Sequence, residues 1–184
     1  PIKSSAASDV YKRQHPYKFG KSNGWVGFSH CTIFNDGKGN WYYASQARLP
    51  KSVDNAIMLG HVRSIRWTKD GWPLVMPERY GAVPQVAITE EELIGNWEHI
   101  DLSYSYGVQK ESATMTLAAD HTITEGTWKS GTWSYDAEQQ ILTANGIDLY
   151  LQREVDWEAS PRTPTIVYAA YGSNHKTYWG KKVK

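Results

Sequence analysis

The only cysteine of the chain, Cys31, stands beside His30 in the stretch GFSHCTIF, Gly27 to Phe34. A thiol next to an imidazole raises two chemistries, a nucleophile with its base or half of a metal site. Apolar residues around the pair read as a β-strand, and neighbours in a strand point to opposite faces, so the two side chains do not meet within it. That argues against a Cys–His dyad. Cys31 then reads as a small buried hydrophobe, and His30 shares the other face with Phe28 and Thr32.

Little else in the chain has the spacing that catalysis or metal binding needs. His30, His61, His99, His121 and His175 are scattered, and one cysteine excludes both a disulfide framework and a Cys-rich zinc site. No Gly-rich loop opens a helix, and no Gly-x-Ser-x-Gly elbow occurs. Carboxylates gather in two places. Glu90, Glu91 and Glu92 suit the positive end of a helical turn. Glu154, Asp156 and Glu158, in REVDWEASPR, alternate at strand spacing. The second group reads as ion pairing with nearby arginines, Arg153 and Arg162; a glycosidase pair there is the sharper alternative.

The elements that must carry these residues are short strands. WVGFSHCTIFN, the turn DGKGN and WYYASQARL form one hairpin. IMLGHVRSIRWT, the turn KDG and WPLVMPERY form a second, with prolines placing its end at a sheet edge. Together they have the content of one propeller blade. GAVPQVA (81–87) reads as a linker. ITEEELIGNW then carries a capping box, Thr89 with Glu92, and a hydrophobic staple, Ile88 with Leu93. Eight further strand signals follow: 97–104, 112–117, 121–125, 131–135, 141–144, 148–157, 165–171 and 177–181. In DLYLQREVDW, Leu149, Leu151, Val155 and Trp157 share one face. Such a run predicts a closed antiparallel barrel, since closure removes exposed edges.

Composition narrows the partners. With 20 basic and 19 acidic residues there is no charge excess to favour nucleic acid, and no apolar run is long enough to span a bilayer as a helix. Nine Trp and twelve Tyr against three Phe is the informative bias. Such rings fill β cores, and they also stack on sugars. Residues 1–14 lack the apolar stretch of a signal peptide. SSAASDVYKRQ resembles an adapter-derived artefact, so residues 1–14 are expected to be non-native, with the natural chain cut at about His15.

Four segments together resemble the C-terminal part of glycoside hydrolase family 43 endo-α-1,5-L-arabinanases: GFSHCTIFNDGKGNWYYASQARL, LGHVRSIRWTKDGWPLVMPERYGAVP, ITEEELIGNWEHIDL and TYWGKK. HVRSIRWTKDGWPLVMPERY followed by Gly95-Asn96-Trp97 is the most distinctive piece. The resemblance implies an all-β chain: the last blade of a five-bladed propeller (15–84), then a lipocalin-like antiparallel β-barrel (85–184). It implies a parent enzyme that inverts and hydrolyses linear arabinan outside the cell or in its envelope, with its catalytic carboxylates in earlier blades. The fragment itself is then inactive, with no catalytic residue and no nucleic-acid partner, and is expected to be a monomer. It also implies that His30 binds a central metal, usually calcium. Imidazole is an unusual calcium ligand, so waters would complete the shell.

Two other readings stay open at this stage. The barrel is a carbohydrate-binding module if Trp128, Trp133 or Trp179 is exposed, or a carrier of small apolar ligands if its interior is hollow. The lone blade is expected to be marginal in stability without neighbours.

Overall fold

β-branched and aromatic residues punctuated by Gly, Asn and Asp turns build an almost wholly β molecule in the computed structural model, which describes residues 15–54, 57–103 and 105–183. The adapter-like reading of 1–14 lies outside the described residues. In chain order the elements begin with β1 (Tyr17–Lys18), β2 (Val26–Asn35), β3 (Trp41–Arg48), β4 (Leu59–Trp67) and β5 (Pro73–Val75). A single 3-10 turn (Glu91–Leu93) precedes β6 (Gly95–Asp101), β7 (Lys110–Glu111), β8 (Ala113–Leu117), β9 (Ile123–Glu125) and β10 (Trp133–Asp136). The chain closes with β11 (Ile141–Ala144), β12 (Ile147–Asp156), β13 (Thr163–Tyr171) and β14 (Thr177–Lys182).

Strands β2 to β5 form a four-stranded antiparallel meander, the blade that the two hairpins predict. Eight strands form the second sheet in the order β10-β11-β12-β13-β14-β6-β8-β9. A bridge between Thr122 and Thr132 and the bonds from Ile123 N to Gly131 O and Ser130 N to Ile123 O draw its two ends together. The result is a nearly closed antiparallel barrel. All eight strand signals of the second half correspond to strands.

The turn before β6 follows its sequence signature in part. Thr89 N donates to the Glu92 carboxylate at 3.0 Å, while no side chain caps the N-terminus. Ile88 and Leu93 are buried together in the barrel interior, as the staple requires. The Glu92 carboxylate also holds Arg153 in a two-pronged contact, at 2.9 and 2.7 Å, and Arg153 donates to the carbonyls of Val86 and Ala87. The linker is thereby tied to β12.

Two cores divide the molecule. One fills the barrel: Trp97, Met115, Leu117, Leu149, Leu151 and Tyr168 are each at most 2% exposed. The other lies between the sheets, where Ile65, Leu74, Val75 and Met76 of the blade region meet Ile100, Tyr150, Val167 and Trp179 of the barrel's outer surface. Strand β12 shows the consequence, because Leu149 and Leu151 point inward while Tyr150 is buried outward against the blade. The predicted one-sided alternation holds for Leu149 and Leu151; toward Val155 and Trp157 the strand leaves the core. The segment before β2 joins the seam as well. β1 pairs in parallel with β7, and Tyr17 and Phe19 are buried in the shared core. The blade thus has a packed flank, which the expectation of a marginal lone blade did not include.

Candidate functional sites in the blade and at its seam with the barrel

His30 sits at an irregularity of β2. Between the pairs Val26↔Arg48 and Ser29↔Gln46 the strand spends one residue more than β3, and it does so again before Thr32↔Ala44. Gly27 (φ 66°) and His30 (φ 49°) take left-handed conformations at these two bulges. Bulges re-aim side chains, and a non-glycine residue in this region is a local cost of about 1 kcal/mol or more. His30 is exposed at its bulge. Cys31 is exposed too, which corrects its reading as a buried hydrophobe. The reason is twofold: the double bulge breaks the alternation from which burial was inferred, and β2 is the sheet's outer strand.

A metal at His30 needs further ligands. Among the described residues, the group of three or more carboxylate, imidazole or thiol donors that lie close enough to share an ion is Glu78, Asp156 and Glu158, and it does not contain His30. The residues present therefore fit a calcium ion poorly on their own: one neutral nitrogen donor, for an ion that takes six to eight oxygens.

The carboxylate group Glu78, Asp156 and Glu158 already holds a cation, the Lys181 ammonium. Its Nζ lies 3.0 Å from Glu78 Oε1, 2.9 Å from Asp156 Oδ1 and 3.0 Å from Glu158 Oε2, and 4.7 Å from the centre of the Phe19 ring. Burial works against the lysine's charge, but Glu78, Glu158 and Asp156 outweigh it and hold its pKa well above the ordinary value. Burial, together with the neighbouring Glu158, pushes Glu78 up to about 7 against the pull of Lys181. A carboxyl group near neutrality would suit a general acid, yet Glu78 is 3% exposed and its carboxylate is engaged by Lys181. The cluster is an ion-pair network across the seam. The ion-pair reading of REVDWEASPR is thus right in kind. Its partner is Lys181, from β14, rather than either nearby arginine. Glu154 is held apart by the amides of Gly81 and Val155, each at 2.9 Å.

Beside this network the seam is built from arginines on aromatic faces. Arg63, fully buried, lies against the rings of Tyr17 and Trp179, donates to the Tyr17 hydroxyl at 2.8 Å and to the Pro77 carbonyl, and approaches His61 Nδ1. Arg79 lies between Trp25 and Trp157, with Arg162 on the same Trp157 ring at 4.5 Å. Burial, reinforced by Arg63 and Arg79, pushes the His61 imidazole down to about 3, so it is neutral at physiological pH.

The barrel aromatics are core. Trp128, Trp133 and Trp179 are 8%, 3% and 0% exposed, so they are not the sugar-stacking platform that the binding-module reading asked of them. Their indole and ring faces are spent on packing: Trp179 Nε1 donates to Val75 O and Trp133 Nε1 to Ala118 O. Inside the barrel His99 Nδ1 shares a 2.6 Å hydrogen bond with the Tyr168 hydroxyl, and its ring packs against Trp128 and Tyr178. Burial pushes His99 down to about 4. Among the described residues, Trp97, Tyr168 and Trp128 pack the interior, which counts against the apolar-carrier reading.

A nearly closed antiparallel barrel joined to a four-stranded antiparallel sheet through a charged and aromatic seam defines the fold. The family model described as the GH43 C-terminal lipocalin-like domain matches residues 77–180, and the chain belongs to that family. It is 23% identical over 168 residues to extracellular endo-α-(1→5)-L-arabinanase 2 of Bacillus subtilis (strain 168), an alignment covering 88% of this chain and 34% of that protein. Among solved structures, a family 43 glycoside hydrolase from Bacillus licheniformis superposes with a TM-score of 0.78 at 24% identity, covering 91% of this chain and 38% of the other. The endo-1,5-α-L-arabinanase of Thermotoga petrophila RKU-1 gives 0.77 at 19% identity, covering 91% and 39%. The chain spans about a third of the length of the curated relative it matches. Both structural likenesses extend over the blade as well as the barrel.

Proposed function

We propose that this chain is the C-terminal part of an extracellular endo-acting hydrolase of linear arabinan, with 15–84 as the last blade of a five-bladed propeller and 85–184 as the barrel that braces it. One observation carries the reading: the similarity to an extracellular arabinanase runs through both sheets and not through the barrel alone. The exposed side of the blade supports it. Phe34 and Val62, 42% and 39% exposed, lie on the side turned away from the seam, where a preceding blade would cover them. In this reading the barrel's task is mechanical, and the hydrolytic carboxylates belong to other blades. Joined to four upstream blades, the chain releases reducing ends from debranched arabinan. A folded longer protein that releases none would overturn the proposal.

His30 is proposed as one ligand of a central calcium whose remaining ligands are waters or groups outside this chain. When bound, such an ion would supply fixed positive charge beside the His30 imidazole. The contribution of this chain is to present the imidazole at a bulge, outside the regular alternation of β2. In the longer protein His30→Ala lowers the calcium retained after gel filtration. Calcium content equal to wild type would refute the ligand role whatever the activity.

A further inference from the structure

A cleft of about 620 Å³ opens where the β2–β3 turn and the end of β4 meet the linker residues 83–88 and the β10–β11 turn. Its volume lies in the range of small-molecule sites, and it lies between two units, where such sites concentrate. Trp41 and Trp67 form one wall, their ring centres 5.5 Å apart at 84°. Tyr42 and Tyr80 form another, 5.0 Å apart at 70°. Trp67 and Tyr80 remain 41% and 42% exposed, so ring faces are offered to a ligand. Ser64 and Gln152 supply neutral hydrogen-bonding groups within the same cleft.

The charge pattern excludes most ligand classes. Among the described residues, the one cation lining the cleft is Arg66, and its guanidinium is already committed to the carbonyls of Gln139, Gln140 and Leu151 and to the face of Tyr150. Phosphates and carboxylates therefore find no free partner there. Glu138 is the single carboxylate of the lining among the described residues. A peptide in extended form would need an open strand edge, but β3 and β4 are the inner strands of their sheet. Aromatic faces with neutral hydroxyl and amide groups match a ligand that alternates apolar C–H faces with hydroxyls.

We propose that this cleft, formed by Trp41, Tyr42, Trp67 and Tyr80 with Ser64 and Gln152, binds a neutral oligosaccharide. It is a second sugar site, built without any catalytic group. The class of ligand follows from the cleft alone, while the choice of arabinan as first probe rests on the proposed function. Such a site holds this chain on a polymer that carries the ligand.

The test is electrophoresis of the 184-residue chain through native gels cast with debranched arabinan, with hydroxyethyl cellulose, and with no polysaccharide. The wild-type chain is retarded by a polysaccharide, and Trp67→Ala weakens the apparent affinity by about tenfold without lowering Tm. Tyr80→Ser, in the other aromatic pair, does the same. Tyr106→Ser, at an 89% exposed position outside the cleft, migrates as wild type. No retardation in either polysaccharide, or equal retardation of wild type, W67A and Y80S, overturns the site. Self-association that the two wall variants abolish overturns it also, by making the occupant a second copy of the chain. Retardation in hydroxyethyl cellulose alone keeps the site and removes arabinan as its ligand. Failure here leaves the proposed hydrolase untouched, because that is judged by reducing ends released by the longer protein.

Discussion

Replacing Lys181 by Met tests whether the seam is held by charge. The ammonium touches three carboxylates at 2.9–3.0 Å, with side chains 3%, 20% and 12% exposed for Glu78, Asp156 and Glu158. At an effective dielectric of about 20, each contact is roughly 5 kcal/mol of gross attraction. Much of this is offset by the cost of burying the lysine, which the substitution also removes. What remains is three carboxylates whose oxygens lie within 4.8 Å of one another. Breaking a buried pair in this way costs about 3–5 kcal/mol. The loss depends on pH with a definite sign. Glu78 is already raised above its unfolded value, to about 7, and without Lys181 it rises further. The folded variant then holds more protons than the unfolded chain above about pH 4.5, so its stability falls as pH rises. Urea unfolding followed by tryptophan fluorescence at pH 5.5 and 8.5 reads both quantities. We expect a deficit of about 3–5 kcal/mol at pH 8.5 that shrinks toward pH 5.5, and partial recovery in Lys181→Met/Glu78→Gln. A deficit below about 1 kcal/mol at pH 8.5, or one independent of pH, would refute the reasoning.

Other expectations are independent of this network. His99 has its folded pKa lowered to about 4 by burial, so its contribution is present above the unfolded value near 6.5 and is lost as pH falls toward 4, about 3 kcal/mol in all; the acid limb of urea midpoints should flatten in His99→Gln. Trp179→Phe keeps the ring contacts with Tyr17 and Arg63 but leaves the Val75 carbonyl unpaired, and should cost about 1–3 kcal/mol in the same assay. Gly126 has φ 89°, and a Cβ there would lie 2.3 Å from the Thr114 carbonyl oxygen. Gly126→Ala should lower stability by more than about 2 kcal/mol, and an unchanged Tm would show that the β9 corner shifts freely.

Periodicity made the strands legible because each is bounded by turn residues whose chemistry is local. The hairpin around Asp36–Asn40 is an example: Asp36 itself accepts from the Lys38 and Asn40 amides. Exposure was far less legible. Cys31 was misjudged because bulges interrupt the alternation that burial arguments assume, although Gly27 within the strand was an available signal for one of them. Trp128, Trp133 and Trp179 could not be assigned to core or surface from residue type, since a ring suits both. The seam was the least legible feature. Lys181 lies more than 100 residues from Glu78, and nothing local marks a lysine near the chain's end as the partner of a carboxylate before the linker.

The seam also bears on what the barrel contributes. A barrel in solution normally buries one face of each strand and leaves the other wet. Here Ile100, Tyr150, Val167, Ala169 and Trp179 carry apolar surface on the outer side, and all are covered by the blade and the segment before it. Charge follows the same plan: Lys181, Arg63 and Arg79 face Glu78, Asp156 and Glu158, three of each sign drawn from both sheets. A buried ionic cluster adds little net stability compared with apolar packing, but it penalises any arrangement that separates its members. The outer core supplies the adhesion and the charges fix its register. A blade held in that way presents the His30 bulge and its exposed Phe34–Val62 side at a set orientation to whatever packs beside it. The seam therefore fixes the angle between the barrel and the four-stranded sheet.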